Sequence, residues 1–137
     1  MTYFLDTNIC IYFLKGKYRS IADTLRKKKP DEIKIASMVK AELLLGVEKS
    51  EKKRENRQAY ERFLEPFEIV AFDDTAATYY AKVRYDLEKS GRIIGPNDLI
   101  IAATVLAQKG ILVTHNTGEF GNVAGLPIED WVVSTVS

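Results

Sequence analysis

The amino-acid sequence predicts an α/β fold, a three-layer sandwich around a central, mostly parallel sheet of four to five strands. Short apolar runs of strand length alternate along the chain with segments whose apolar side chains recur at helical spacing. Strands separated by helices pair in parallel through right-handed crossovers. With 137 residues, 46% of them hydrophobic, the chain is long enough to bury one core, so we expect a single domain over residues 1–137.

The first elements follow directly from this pattern. Residues 3–5 are an apolar run of strand length, and residues 8–14 are apolar nearly throughout and long enough for one or two helical turns. Gly16 interrupts that helix. Residues 18–29 carry apolar side chains at helical spacing ahead of a proline, which predicts an amphipathic helix, and residues 33–36 are the second strand.

The middle of the chain predicts two helices and a third strand. Ser37 is a suitable N-cap for a helix that runs to about Val47. One apolar face of this helix is expected to contain Ala41, Leu44 and Leu45. A highly charged helix should follow over residues 51–64 until Pro66 ends it, and residues 67–72 have the pattern of a strand.

The pattern in the last part of the chain, from residue 73 onward, predicts two more helices and two strands. Residues 73–75 are capping residues for a long helix that Ser90 and Gly91 close. After a turn at residues 95–97, residues 98–108 are apolar almost all round, which indicates a helix buried on most faces. Gly110 ends it. Strands are then expected at residues 111–114 and, at the edge of the sheet, 127–133.

Four acidic residues lie where apolar segments begin or end. They are Asp6, Glu42, Asp98 and Glu119. Because ligands bind beyond the carboxyl ends of parallel strands, the predicted sheet brings these acids to one edge. Converging carboxylates repel one another and favour a hard divalent cation between them.

Each acid also has a simpler explanation. Asp6 can cap the next helix, Glu42 can pair with Lys40 or Lys49, Asp98 can cap its own helix, and Glu119 can be a loop carboxylate. At the start of a helix, Asp98 should also be stabilised as an anion by the helix dipole. Four acids at one edge are less easily explained by capping than by a shared metal site.

The formal net charge is +1, so the chain outside these four acids is net basic. Much of the positive charge lies in residues 26–29 and 49–57. Basic patches attract phosphate backbones, but each stretch taken alone has the pattern of a solvated helix face, with Glu51 and Glu55 as ion-pair partners in the second.

The low number of cysteine and histidine residues excludes a disulfide and a structural zinc site. The single Cys10 excludes an intramolecular disulfide, and the single His115 leaves too few soft ligands for structural zinc. Cys10 lies in an apolar turn and is expected to pack in the core. A mechanism with His115 as general base lacks a partner acid, so we expect a surface or substrate-contacting side chain.

The apolar runs are far shorter than the roughly 18 to 20 residues that cross a bilayer, and no signal-peptide pattern precedes them. The sequence therefore predicts a cytoplasmic protein with no membrane partner.

Four segments of the chain resemble the motifs of a known family. They are Phe4-Leu5-Asp6-Thr7-Asn8, Ala41-Glu42-Leu43-Leu44-Leu45-Gly46, Gly95-Pro96-Asn97-Asp98-Leu99-Ile100-Ile101-Ala102-Ala103 and Val113-Thr114-His115-Asn116-Thr117-Gly118-Glu119-Phe120. In this order they resemble a PIN domain, specifically a VapC-type toxin, and Asp130-Trp131 resembles the ending of many such toxins.

The resemblance implies an endoribonuclease that depends on Mg²⁺ or Mn²⁺ and is the toxin of a toxin–antitoxin pair. Asp6, Glu42 and Asp98 fall on the positions of three metal ligands. Glu119 falls on the fourth, where many members carry aspartate, and its longer side chain favours contact through water. Small polar residues that would orient the carboxylates or water are Thr7, Asn8, Thr114 and Asn116.

The same resemblance implies metal-activated water as the nucleophile, products with 5′-phosphate and 3′-hydroxyl ends, and structured RNA such as tRNA as a target. It also implies a homodimer covered by an antitoxin segment in a groove near the first helices. The nearly unbroken apolar run at residues 9–14 fits such a groove, but it fits a core helix equally well.

Two other functions are compatible with parts of the sequence. A PIN-like RNA-binding module without catalysis would be expected if the acids were incomplete. A haloacid-dehalogenase-like phosphatase also begins with a strand ending in aspartate, but it needs a second aspartate where this chain has Asn8. Cut RNA, intact bound RNA and released inorganic phosphate would distinguish the three.

Overall fold

A computed structural model describes residues 1–133 of the chain. Its sheet contains five parallel strands in the order β3-β2-β1-β4-β5. The strands are β1 (Tyr3–Leu5), β2 (Ile33–Ala36), β3 (Glu68–Val70), β4 (Ile111–Val113) and β5 (Ile128–Glu129). The prediction of a parallel α/β sheet with up to five strands is confirmed.

Helices connect these strands throughout. They are α1 (Thr7–Lys15), α2 (Arg19–Arg26), α3 (Ser37–Lys49), α4 (Lys53–Leu64), α5 (Asp74–Lys89), α6 (Pro96–Ala107) and α7 (Thr117–Phe120), with a 3₁₀ turn at Pro30–Glu32. Every residue of β1 and β4 is buried. Because successive side chains of a strand point to opposite faces, helices cover both faces of the central strands, which makes three layers.

The strand order places one crevice at the centre of the carboxyl edge. From β1 the chain winds outward to β2 and β3, and then returns to the other side of β1 for β4 and β5. Leu5 pairs with Val113, and the Asp6 N–H continues the ladder with a 2.9 Å hydrogen bond to the Val113 carbonyl. In open parallel sheets, such a reversal of direction is where ligands bind.

Local signals explain where several helices begin and end. Asp6 is the N-cap of α1, and Gly16 ends that helix in the left-handed conformation at φ 65°. Asp73 caps α5 by accepting a hydrogen bond from the Ala76 N–H, and Gly91 follows that helix at φ 72°. These four residues have the capping chemistry that the sequence predicted.

The predicted apolar face of α3 is wrong. Ala41 is exposed and Leu45 is 52% exposed, whereas the buried residues are Val39, Leu43 and Val47. Those three recur every four residues and lie on one side of the helix. The N-cap is Ala36, which has no capping side chain, and Ser37 is the first helical residue.

Several boundaries also differ from the predictions. Helix α2 ends three residues before position 29, α4 begins at Lys53, β3 has only three residues, and β5 has only two. The short helix α7 and the 3₁₀ turn were not predicted. Within residues 1–133, no helix combines the length and the apolar character that are needed to cross a membrane.

Gly110 lets β4 approach β1 closely, and we expect its replacement by alanine to destabilise the protein by about 1–3 kcal/mol. A β-carbon on Gly110 would lie 2.6 Å from Cε1 of Phe4, which is 1% exposed and has no room to shift. Urea unfolding followed by circular dichroism measures the change.

Gly46→Ala is the matched control, because a β-carbon there meets nothing within 4 Å and Gly46 lies inside α3. That substitution should stabilise the protein by about 0.5–1 kcal/mol through helix propensity. A Gly110→Ala protein as stable as the wild type would contradict the proposed crowding.

Candidate active site

Four carboxylates meet at the crevice between β1 and β4, and each is carried by a different part of the fold. Asp6 follows β1, Glu42 lies on α3, Asp98 lies in the first turn of α6, and Glu119 lies on α7. The charges of the other three acids all raise the pKa of Asp98, so the four groups act on one another. The structure therefore brings together all four acids that the sequence singled out.

Asp6 is the most enclosed of the four, with 6% of its surface exposed. One carboxylate oxygen accepts a 2.9 Å hydrogen bond from the Thr7 N–H, and the other accepts a 2.8 Å bond from the Thr114 hydroxyl. Burial raises the pKa of Asp6, the two hydrogen bonds oppose that rise, and the charges of Glu42 and Glu119 add to it. The capping role of Asp6 and its place in the acid cluster are thus compatible.

Glu42 is oriented by polar side chains. Its Oε1 accepts a 2.6 Å hydrogen bond from the Thr7 hydroxyl, and its Oε2 accepts a longer bond of 3.4 Å from the Asn97 amide. The alternative partners Lys40 and Lys49 form no ion pair with it in the part of the chain that the structure describes.

Glu119 connects α7 to the loop before α6. Its Oε1 accepts a 2.7 Å hydrogen bond from the Gly95 N–H, and its Oε2 accepts a 3.0 Å bond from the Asn116 amide. A β-carbon built on Gly95 would lie 3.6 Å from Asp98 Oδ2 and 3.9 Å from Glu119 Oε1. The two carboxylates therefore line the same side of this loop.

Asp98 has the most perturbed carboxyl group of the cluster. Its pKa is raised to about 7, chiefly by burial and further by the charges of Asp6, Glu119 and Glu42 and a hydrogen bond with Glu119. The helix dipole was expected to keep Asp98 ionised. In the metal-free site, burial and three nearby charges act against that stabilisation and are larger than it.

The predicted supporting residues have different surroundings. Thr7, Thr114 and Asn116 all contact acids of the cluster, and Thr114 also accepts a 3.0 Å hydrogen bond from the Asn116 N–H. Asn8 is exposed, and its side chain contacts no acid among residues 1–133.

Sequence reasoning did not assign Gly95 or Asn97 to the site, although both lie in the quoted motif before Asp98.

The predictions for Cys10 and for the charged stretch at residues 49–57 have different outcomes. Cys10 is fully buried, and burial followed by the charge of Asp6 raises the pKa of its thiol, so it packs as an unreactive side chain. In the charged stretch, Arg57 pairs with Glu48 at 3.0 Å, whereas Glu51 and Glu55 form no ion pair within the described residues.

The donor chemistry of the cluster fits a hard divalent cation. All of its donors are carboxylate, hydroxyl or amide oxygens, which Mg²⁺ and Mn²⁺ prefer, and a cation would offset the repulsion that raises the pKa of Asp98. Yet over residues 1–133 no three acidic, histidine or cysteine side chains form a ready-made metal cage. Hydrogen bonds hold Glu42 and Glu119 toward neighbouring groups, so these side chains have to turn to share an ion.

A cavity of about 580 Å³ lies away from the acid cluster, between α5, the end of α6 and residues 122–127, and none of the four acids lines it.

Comparison with known proteins gives a consistent result. The PIN domain family matches residues 3–126. Ribonuclease VapC2 of Rickettsia felis is 42% identical over 132 residues, which cover 96% of this chain and 98% of the relative. The tRNA(fMet)-specific endonuclease VapC of Shigella flexneri is 36% identical, with 96% and 98% covered.

A solved structure shows the same likeness in three dimensions. It is the crystal structure of VapBC2 from Rickettsia felis bound to a DNA fragment from their promoter. The matching chain has a TM-score of 0.89 at 40% identity, and the match covers 96% of this chain and 99% of that one.

Asp98→Asn should make the metal-free protein more stable at pH 8. The pKa of Asp98 is raised from its usual 3.8 to about 7, so its favourable contribution is complete below pH 3.8 and is lost as the pH rises through 7. Asparagine avoids the cost of ionisation, and after allowance for solvent screening we expect a gain on the order of 1 kcal/mol. Thermal melts in EDTA measure it.

The pH dependence is the internal control, because the advantage of the variant should shrink toward pH 4. Asp86→Asn, at an exposed position on α5, should show no such trend. A variant that is less stable than the wild type at pH 8 would contradict the repulsion between these carboxylates.

Proposed function

The chain belongs to the PIN-domain family, and we propose that it is a metal-dependent endoribonuclease, the toxin of a VapBC-type toxin–antitoxin pair. The observation that carries this proposal is the cluster of four mutually repelling carboxylates at the switch point of the sheet. The relatives named ribonuclease and tRNA(fMet)-specific endonuclease match almost the whole chain. We treat residues 1–137 as one nuclease domain.

The proposed metal ligands are Asp6, Glu42, Asp98 and Glu119. When bound there, Mg²⁺ or Mn²⁺ would lower the pKa of a water molecule and neutralise charge on the phosphodiester. Both oxygens of Glu119 already accept hydrogen bonds from Gly95 and Asn116, which supports an outer role through water.

The other residues of the site orient the carboxylates before substrate arrives. Thr7 has a double role, because its N–H holds Asp6 and its hydroxyl holds Glu42. Thr114 fixes the second oxygen of Asp6. Oriented oxygens reduce the reorganisation that the reaction requires.

The proposed reaction is hydrolysis of an RNA phosphodiester. The oxygen of water forms a bond to phosphorus while the bond from phosphorus to the 3′ oxygen breaks. A carboxylate of the cluster takes one proton from the water, and the leaving 3′ oxygen gains a proton. The products have 5′-phosphate and 3′-hydroxyl ends.

We propose tRNA as the substrate class, with tRNA(fMet) as the first candidate, because of the name of the Shigella flexneri relative. Such a substrate implies that the protein acts in the cytoplasm. We also propose an antitoxin partner, because the solved structure that shares this fold is one of VapBC2, and a homodimer, which the family resemblance implies. Residues that are only partly buried around α1 leave apolar surface for that partner; they are Ile11, Tyr12, Phe13 and Leu14.

Asp6→Asn should lower RNA cleavage at least about 100-fold, because it replaces a proposed metal ligand that no other side chain can substitute. Cleavage of tRNA(fMet) in Mg²⁺ or Mn²⁺, with the cut ends mapped, is the measurement, and EDTA should abolish it. Asp86→Asn is the matched control, because it makes the same substitution at an exposed aspartate, and it should cleave RNA like the wild type.

Equal cleavage by wild type and Asp6→Asn, or cleavage in EDTA, would refute the metal-nuclease proposal. Intact but bound RNA would indicate a non-catalytic module. Release of inorganic phosphate from a phosphomonoester would indicate a phosphatase.

Thr114→Val should lower cleavage about 10- to 100-fold with little change in shape, because it removes the hydroxyl that orients Asp6. Thr104→Val is the matched control. Thr104 is also buried, at 2% exposure, but its hydroxyl donates only to the Ile100 carbonyl within α6. Steady-state kinetics should show a loss in the first variant only, and equal activities would remove Thr114 from the proposed machinery.

A further inference from the structure

We propose that His115 and Lys17 bind the RNA backbone beside the acid cluster, and that Asp130 positions His115 for this contact. The inference rests on the proposed nuclease function, since it names the residues that hold the substrate next to the reacting phosphate. His115 and Lys17 bind substrate here and take no part in proton transfer, and Asp130 is the positioning residue.

The position of His115 in the chain places it at the cluster. Thr114 contacts Asp6 and Asn116 contacts Glu119, and His115 lies between them. Its Cα is therefore one residue spacing, about 3.8 Å, from the Cα of two residues that touch the acids. His115 therefore lies beside the acid cluster.

Asp130 fixes the imidazole in one orientation. His115 Nδ1 lies 2.9 Å from Asp130 Oδ2, and the other oxygen of Asp130 accepts a 2.9 Å hydrogen bond from the Val132 N–H. Because a carboxylate only accepts, Nδ1 carries the hydrogen of this bond. The Asp130 side chain is 14% exposed and that of His115 is 46% exposed, so a largely buried carboxylate orients a partly exposed imidazole. The second ring nitrogen, Nε2, has no hydrogen-bond partner among the described residues.

Lys17 provides a positive charge in the surroundings of His115, with the Tyr18 ring between them. Its Nζ lies 4.9 Å from the ring centroid of Tyr12 and 5.3 Å from that of Tyr18, and the Tyr18 ring lies 6.4 Å from the His115 ring. Lys17 forms no ion pair with any carboxylate of residues 1–133. Two aromatic rings thus hold an ammonium that is otherwise free to bind an anion.

The charge of the site requires such groups. Four carboxylates repel the phosphates on each side of the scissile bond, and a divalent cation between them offsets only part of four negative charges. A positive charge and a hydrogen-bonding imidazole at the rim supply the attraction for the neighbouring phosphate.

Two substitutions of His115 separate substrate binding from a purely structural role. The amide of asparagine lies near the place of Nδ1 and keeps the contact with Asp130, whereas that of glutamine lies near the place of Nε2. His115→Asn should therefore keep its melting temperature and raise KM about 2- to 10-fold with kcat unchanged. His115→Gln should lose some stability, and its KM should lie between those of the wild type and His115→Asn, because its amide can reach the phosphate but is no longer held by Asp130.

Lys17→Met should raise KM by a similar factor and make the salt dependence of RNA binding less steep. The slope of the logarithm of the RNA-binding constant against the logarithm of the salt concentration is negative, and its magnitude should decrease by about 0.7 for one lost contact with a single-stranded phosphate. Lys28→Met is the matched control: Lys28 also lies over a tyrosine ring, at 4.3 Å from Tyr3, but near the amino end of β1. It should leave the slope unchanged.

The outcomes distinguish the two proposals. The probes are a tRNA(fMet) transcript for cleavage and the same transcript, fluorescently labelled, for binding in EDTA. If the wild type binds RNA but does not cut it, the proposed nuclease function is wrong, and the binding measurements in EDTA still test the roles of His115 and Lys17. If the wild type cuts RNA, and His115→Asn and Lys17→Met both have the KM and the salt dependence of the wild type, then only the proposed RNA-binding role of these residues is wrong. A raised KM in His115→Gln but not in His115→Asn also overturns it, since the histidine then acts only through Asp130.

Discussion

The contact between the ends of β1 and β4 is the constraint on which the rest of the site depends. The Asp6 N–H extends the ladder to Val113, and one residue later the Thr114 hydroxyl reaches the Asp6 carboxylate at 2.8 Å. Because β1 and β4 are neighbours only through the reversal in strand order, a local sequence signal does not create this contact. Gly110, at the start of β4, permits it by leaving space for Phe4.

From this contact, the electrostatic character of the site follows. Asp6 is buried by the layers above and below the central strands, and the neighbouring elements carry Glu42, Asp98 and Glu119 to the same crevice. Burial and mutual repulsion raise the pKa of Asp98 to about 7, although a helix N-terminus favours its ionised form. The fold thus maintains a cluster that is unfavourable in the metal-free protein, which is the arrangement expected where a functional site is kept at a cost in stability.

The sequence predicted the parts of this structure that depend on local pattern. Residues 33–36 form a strand with the expected bounds, Gly16 ends α1, and the four acids lie at one edge. The apolar face of α3 was wrong because adjacent leucines give the helix more than one plausible apolar stripe, and packing against neighbouring elements selects Val39, Leu43 and Val47. The contact between His115 and Asp130 joins different strand ends, so residue spacing alone does not reveal it.

Glu119 connects two separate elements of the site through its long side chain. It lies on α7, a helix of four residues, and its carboxylate reaches the Gly95 N–H in the loop that leads into Asp98. An aspartate is one methylene shorter and from the same backbone position could not make this bond at 2.7 Å without a shift of α7. The additional length therefore connects α7 to the loop that leads into α6. In this chain the fourth acid stabilises the position of Asp98 as well as adding to the negative charge of the crevice.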